Sequence, residues 1–224
     1  MSDPAIHPVP WDSAVFGIDC FEISDPSNAS ALAEASTTPG HYSIKVDPLA
    51  SKALLNKYGF YYTDTLIEPY CNSSDITMYN NPEVSVDNQV DINLLLAMCD
   101  ASFLYGRFHR DFNLNHDMAD RRYKNWLKQL ADEENVLGLY HCNQLAGFIA
   151  HNNGNLLLHA IDRKFRSQGL AKYFWSAACQ ELIERGITEF RSSISASNLA
   201  VLNLYCSLGF RFNKAVDVYH RLTR

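Results

Sequence analysis

LLLHAIDRKFRSQGLAKYFWSAACQEL, Leu156 to Leu182, opens as an apolar run, turns through charge and one glycine, and resumes as an amphipathic helix. Leu170, Phe174 and Ala178 recur at helical spacing beyond the turn. The first N–H groups of such a helix lack intrahelical acceptors, and with the helix dipole they make an anion site facing the turn. Gly169 permits close backbone approach, and Ala171 leaves room beside the helix. Arg166 brings a forked positive charge suited to phosphate, with Arg163 and Lys164 at the rim. No Gly-Lys-Ser/Thr follows, so the turn is not a P-loop. One glycine in an antiparallel setting does not make a dinucleotide fingerprint. Taken alone, the turn also fits a solvated basic loop before an ordinary helix.

Working outward, the chain has the composition of a globular protein: 224 residues, 47% apolar and 20% charged, with a net charge of -6. The acidic balance argues against a general nucleic-acid binder. No run is long and apolar enough for a membrane span. The first residues, MSDPAIHPVPWDSAVFG, lack the basic start and apolar core of a signal peptide. A cytoplasmic protein with free thiols is expected, since the six cysteines form no CxxC pair. The eight histidines are scattered without an HExxH, so no metal is expected.

Patterning predicts strands over 41–46 and 60–68, with a helix over 49–58 between them, capped by Asp47 and closed by Gly59. The polar stretch 71–89 reads as a linker. A boundary near residue 80 then divides a small α/β segment, 1–80, from a main domain, 81–224. Helices are predicted over 92–105 and 118–131. Three antiparallel strands follow over 136–140, 144–151 and 156–161, joined by short turns. A helix over 168–185, a strand over 189–195, a helix over 199–208 and a last strand over 216–222 complete the order. The fold class is α/β, a mixed central sheet flanked by helices with one strand-helix-strand crossover at its centre.

A second stretch, NLAVLNLYCSLGF, runs from Asn198 to Phe210. Together, Arg166, Gln168, Gly169 and Ala171, then Asn198 and the Leu-Tyr-x-x-Leu-Gly-Phe ending, resemble the cofactor signature of the GCN5-related N-acetyltransferase (GNAT) superfamily. The resemblance covers roughly residues 90–224. It implies acetyl-CoA as co-substrate and no metal. It also implies that backbone groups of Leu158, Ala160 and Ile161 line the pantetheine arm. N–H groups of Arg166, Ser167, Gln168, Gly169, Leu170 and Ala171 would hold the pyrophosphate, and Asn198 would touch the cofactor. Tyr205 would protonate the departing thiolate, a role open to a phenol of ordinary pKa about 10.

The acceptor must be a neutral amine, so a group is needed to take its proton. Asp64, Glu68 and His159 are the candidates. His159 sits between Leu158 and Ala160, which points it to the opposite face of its strand. Asp64 and Glu68 share a strand face by period two. Arg107, Phe108 and Arg110 are candidates for contact with an acceptor diphosphate or its base, and surface ion pairing explains them equally. Trp11 and Phe16 read as packing residues. WDSAVFG, NKYGFYYTDT and ASFLYGRFHRD further resemble the TDP-fucosamine acetyltransferase group. That resemblance implies a TDP-linked 4-amino-4,6-dideoxyhexose as acceptor, a role in cell-surface polysaccharide synthesis, and a homodimer. Other small amines, a peptide N-terminus and a non-catalytic CoA-binding module are the alternatives.

Overall fold

The computed structural model describes residues 4–224. In chain order its elements are β1 (Ile6–Pro8), α1 (Pro10–Phe16), β2 (Cys20–Ile23), α2 (Ala29–Thr37), β3 (Gly40–Val46), α3 (Ala53–Lys57) and β4 (Tyr61–Asn72). Next come β5 (Val84–Asp87), α4 (Ile92–Cys99), α5 (His116–Asp132), β6 (Val136–His141), β7 (Gln144–Asn152) and β8 (Asn155–Ile161). The chain ends with α6 (Ala171–Glu184), β9 (Glu189–Ser192), β10 (Ile194–Ser195), α7 (Leu199–Ser207) and β11 (Arg211–Thr223).

All strands join one sheet in the order β1-β2-β3-β11-β4-β9-β8-β7-β6-β5, with β10 also paired to β4. The mixed α/β architecture is the one expected. The meander β6-β7-β8 is antiparallel, and β8-α6-β9 is the expected parallel crossover. Gly147 lies where a Cβ would strike the Ala160 carbonyl, so this close strand contact needs glycine. One face of the sheet packs Phe174, Trp175, Ala178 and Leu182 of α6 against Leu137, Leu139 and Ile149. The other packs Leu95 of α4 and Tyr123, Leu127 and Leu130 of α5 against Phe148, Leu158 and Ala160.

Several boundaries differ from the sequence expectation. The helix expected over 49–58 is confined to Ala53–Lys57. The Asp47 carboxylate accepts from the Leu49 N–H, and the Lys52 ammonium donates to the carbonyls of Asp47, Pro48 and Ala50, so these residues close a turn instead. The supposed linker 71–89 contains the end of β4 and the edge strand β5. The helix expected over 92–105 stops at Cys99, and Ala101 takes a left-handed φ of 54°. The sheet runs unbroken past the boundary expected near residue 80. β4 lies at its centre, paired to β11 on one side and to β9 and β10 on the other. Trp11 and Phe16 do pack: the Arg122 guanidinium lies 4.8 Å from the Trp11 ring centroid, and Phe16 sits 5.5 Å from Phe108.

Candidate active site

A cleft opens where β8 and β9 part. Their parallel ladder holds only Asn155 opposite Arg191 and Leu156 opposite Ser192. The chain then bends away, and β10 pairs with β4 instead, Ile194 opposite Ile67 and Ser195 opposite Leu66. From Leu157 onward β8 has no strand beside it on that side. Within β8, Ala150 faces Leu158 while His151 faces Leu156, so Leu157 is an extra, bulged residue. A bulge leaves backbone groups out of the ladder and re-aims side chains. Here it sends Leu156 into the α6 face and Leu158 into the α5 face, although they are two residues apart.

The RSQGLA turn closes one end of the cleft. Ser167 and Gly169 both take positive φ, 61° and 72°. The backbone N–H groups from Ser167 to Lys172 donate to no protein acceptor among the described residues. Six consecutive free donors at the start of a 14-residue helix make an arrangement whose chemistry suits an anion. Nothing lies within 4 Å of where a Gly169 Cβ would stand. Arg166 acts differently from the expectation. Its Nε donates to the Ile161 carbonyl at 2.7 Å, and an Nη donates to Ser102 Oγ at 2.9 Å. Two arms of its fork are therefore engaged within the protein, tethering the turn to β8 and to the end of α4.

The Gly169→Val substitution tests the cradle. A β-branched residue at this φ costs roughly 1–2 kcal/mol and puts methyl groups in front of the free N–H fan. We expect calorimetric titration to show CoA binding weakened about tenfold or more, equivalent to ~1.4 kcal/mol, with the chain still folded. Unchanged affinity rules the turn out as the diphosphate holder.

Tyr205 of α7 is fully buried in the core on the α6 side of the sheet, with Oη 3.5 Å from His159 Nε2. Burial pushes the phenol well above its usual pKa of about 10. It pushes His159 down to about 4, so this imidazole is neutral near neutral pH. The His159 ring stands edge-on to Trp175 at 4.9 Å, on the α6 side, while Leu158 and Ala160 point the other way as alternation requires. Asn198 caps α7, its Oδ1 accepting from the Val201 N–H at 3.3 Å.

A second group gathers at the start of α7. Asp64 of β4 is fully buried, accepts from Ser195 Oγ at 2.7 Å and pairs with Arg110. Arg110 also donates to Ser197 Oγ at 2.9 Å, and its guanidinium lies 5.9 Å from the Tyr62 ring centroid. Asp64 Oδ2 has no hydrogen-bond partner. Burial raises the Asp64 pKa, opposed by the Ser195 bond and by the charges of Arg110 and Arg107. Asp64 and Arg110, both singled out from sequence, thus meet.

Two other expected residues do not join them. Glu68 lies about 13 Å farther along β4 by strand rise, partly exposed and 4.0 Å from Arg191. Phe108 is only 3% exposed, packed among Phe16, Leu114 and Ala119, so it is core and not a stacking platform. Arg107 packs half-buried against the Phe108 ring, with Nε unpaired. Ser195, Ser197 and Tyr62 went unremarked in the sequence. No local motif marks them, because their partners are distant in the chain.

A family profile described as the acetyltransferase (GNAT) domain matches residues 110–221, half of the chain, and the protein belongs to that family. Solved structures share its fold at low identity. A GCN5-related N-acetyltransferase from Sphaerobacter thermophilus is 10% identical, with a TM-score of 0.62 over 97% of this chain and 76% of that one. One from Kribbella flavida is 12% identical, with a TM-score of 0.56 over 92% and 82%. A GNAT-family acetyltransferase from Colwellia psychrerythraea is 12% identical, with a TM-score of 0.56 over 87% and 72%. None of the curated protein sequences matches the chain. The protein is an acetyltransferase-family enzyme, and among the described residues no helix is long and apolar enough to cross a membrane.

Proposed function

We propose that the protein transfers an acetyl group from acetyl-CoA to a primary amine, with a nucleotide-linked 4-amino-4,6-dideoxyhexose as acceptor. The observation that carries the donor half is the run of free N–H groups from Ser167 to Lys172 beside the unpaired edge of β8. When bound, acetyl-CoA supplies an activated thioester carbonyl. The cradle holds the diphosphate, and the β8 backbone from Leu157 to Ile161 aligns the arm that carries the thioester. Tyr205 keeps its proton across the working pH range and delivers it to the departing sulfur. His159, neutral beside it, orients the phenol.

The acceptor half is proposed around Asp64. Its unpaired, buried Oδ2 takes the amine's proton, and its raised pKa brings it nearer the operating range of a general base. Arg110 remains the candidate for the acceptor's diphosphate, with the exposed Tyr62 ring beside it for the base or sugar. On this reading the first 80 residues supply the acceptor side through β4, and the rest supplies the cofactor side. The nucleotide-sugar acceptor is supported by the WDSAVFG, NKYGFYYTDT and ASFLYGRFHRD phrases and by the position of Arg110.

The test is CoA release with acetyl-CoA and a panel of TDP-linked amino sugars, amino acids, polyamines and a peptide N-terminus. Turnover on the 4-amino sugars alone supports the proposal. Turnover confined to the other amines overturns the acceptor assignment and leaves the donor assignment standing.

A further inference from the structure

Away from the cleft, His41 of β3, Asp111 and His220 of β11 meet in the interior, each at most 2% exposed. His220 Nδ1 lies 2.8 Å and His41 Nε2 3.1 Å from Asp111 Oδ2, and the two nitrogens are 3.2 Å apart. Three ligand-type atoms therefore form a nearly equilateral triangle. The face of a tetrahedron or octahedron built on metal–ligand bonds of ~2.0–2.1 Å has edges of roughly 2.8–3.4 Å.

With both nitrogens donating to the ionised carboxylate oxygen, the nitrogen–nitrogen edge is donor against donor; with His41 Nε2 bare, the single His220 Nδ1–H is shared between two acceptors. A cation over the triangle receives a lone pair from every corner. The carboxylate is also supported as a metal ligand's is. Its other oxygen accepts from the Asn113 N–H at 3.0 Å, and Tyr61 Oη bridges the two oxygens, 3.1 Å from Oδ1 and 3.0 Å from Oδ2. No Lys or Arg pairs with Asp111 among the described residues; its ion-pair partners are the two histidines. A buried carboxylate needs such a partner or a metal.

We propose that His41 Nε2, His220 Nδ1 and Asp111 Oδ2 bind one divalent transition-metal ion. Two imidazoles and a carboxylate suit Zn²⁺. The site is buried and lies on none of the cleft's walls, so its role is structural. It clips β3 and β11 to the irregular segment between α4 and α5, where Asp111 directly follows Arg110. A pocket of about 570 Å³ is lined in part by Gly40, Asn113 and Leu222, each within two residues of one of the three ligands. The three residues are separated by 70, 109 and 179 positions, so no sequence motif announces them and the expectation of no metal followed.

The experiment strips the whole chain by dialysis against a chelator, then titrates it with ZnCl₂ and, separately, CoCl₂. One Zn²⁺ per chain by elemental mass spectrometry is expected, together with visible d–d absorption of the cobalt form. Zinc in large excess over Kd raises Tm by roughly 5–10 °C. His220→Gln and Asp111→Asn abolish uptake. His141→Gln, which dismantles the exposed Glu83–His141–Cys142 group, leaves it intact. Because a buried substitution can itself unfold the chain, the wild-type titration comes first and each variant is read beside its own thermal melt. A stripped wild-type chain that takes up neither metal overturns the site, as does uptake that survives His220→Gln or disappears with His141→Gln.

Discussion

Tyr205→Phe lowers kcat by about 10²–10³-fold while leaving acetyl-CoA affinity within a few-fold of the parent. The substitution removes one oxygen from a side chain that is fully buried between β8 and α7. Ring packing against Phe210, 4.8 Å away, is kept. The lost hydrogen bond to His159 is long, so about 1 kcal/mol or less of stability goes with it. The effect therefore falls on the proton needed by the departing thiolate. Rate and affinity measured together separate this from a packing defect, which moves both and lowers Tm. Since burial raises the Tyr205 pKa, the acid stays protonated as pH climbs through neutrality, and Tyr205 imposes no loss of activity there. A kcat equal to the parent's, with chemistry shown to limit the rate, removes Tyr205 from the proton-transfer step.

The glycine turn and its free N–H groups were legible because they are local. The apolar run before Asp162, the glycine turn and the apolar stripe of α6 lie in one continuous stretch, and each step follows from backbone geometry. Arg166 departs from its expected role, because its nearest acceptors, the Ile161 carbonyl and the Ser102 hydroxyl, belong to the protein. The Asp64–Arg110 group was legible only by residue type. Asp64 finds Arg110 across 46 positions and Ser195 across 131, pairings that depend on β4 crossing into the centre of the sheet. Nothing in the periodicity of residues 60–68 says which strands flank them. Phe108 misled because it stands among arginines. Arg107 and Arg122 lay their guanidiniums against its ring, so the charges cover a buried aromatic. The helix expected over 49–58 failed for a local reason that the sequence does contain: Asp47 and Lys52 both bond to nearby backbone and stabilise the competing turn.

Arg110→Ala both destabilises the chain and removes acceptor turnover, and the two losses separate in a double variant. Asp64 is fully buried, whereas the Arg110 side chain is 28% exposed. Deleting the cation leaves a buried carboxylate with Ser195, the Thr65 N–H and the weaker field of Arg107 in support. Breaking such a pair costs about 2–3 kcal/mol once the solvent exposure of Arg110 is allowed for. In a chain of this size that is a Tm loss of roughly 5–10 °C. The sign of the pH dependence follows from the charge. Burial already raises the Asp64 pKa in the folded chain, and losing Arg110 raises it further. The folded state then holds a proton that the unfolded chain releases, so the destabilisation is smallest in acid and grows as pH rises through the carboxylate range and above. Asp64→Asn in the same chain removes the stranded charge and recovers most of the lost Tm. It does not recover activity, because the proton acceptor is gone. Acceptor kcat/KM falls about 10²-fold in Arg110→Ala, and its acid limb moves to higher pH, while the KM for acetyl-CoA holds. Thermal melts across pH and steady-state kinetics on the three variants make the comparison. If Arg110→Ala keeps the parent's acceptor kinetics and pH profile, the Asp64–Arg110 pair is a structural tie between β4 and the segment before α5, and the amine's proton leaves by another route.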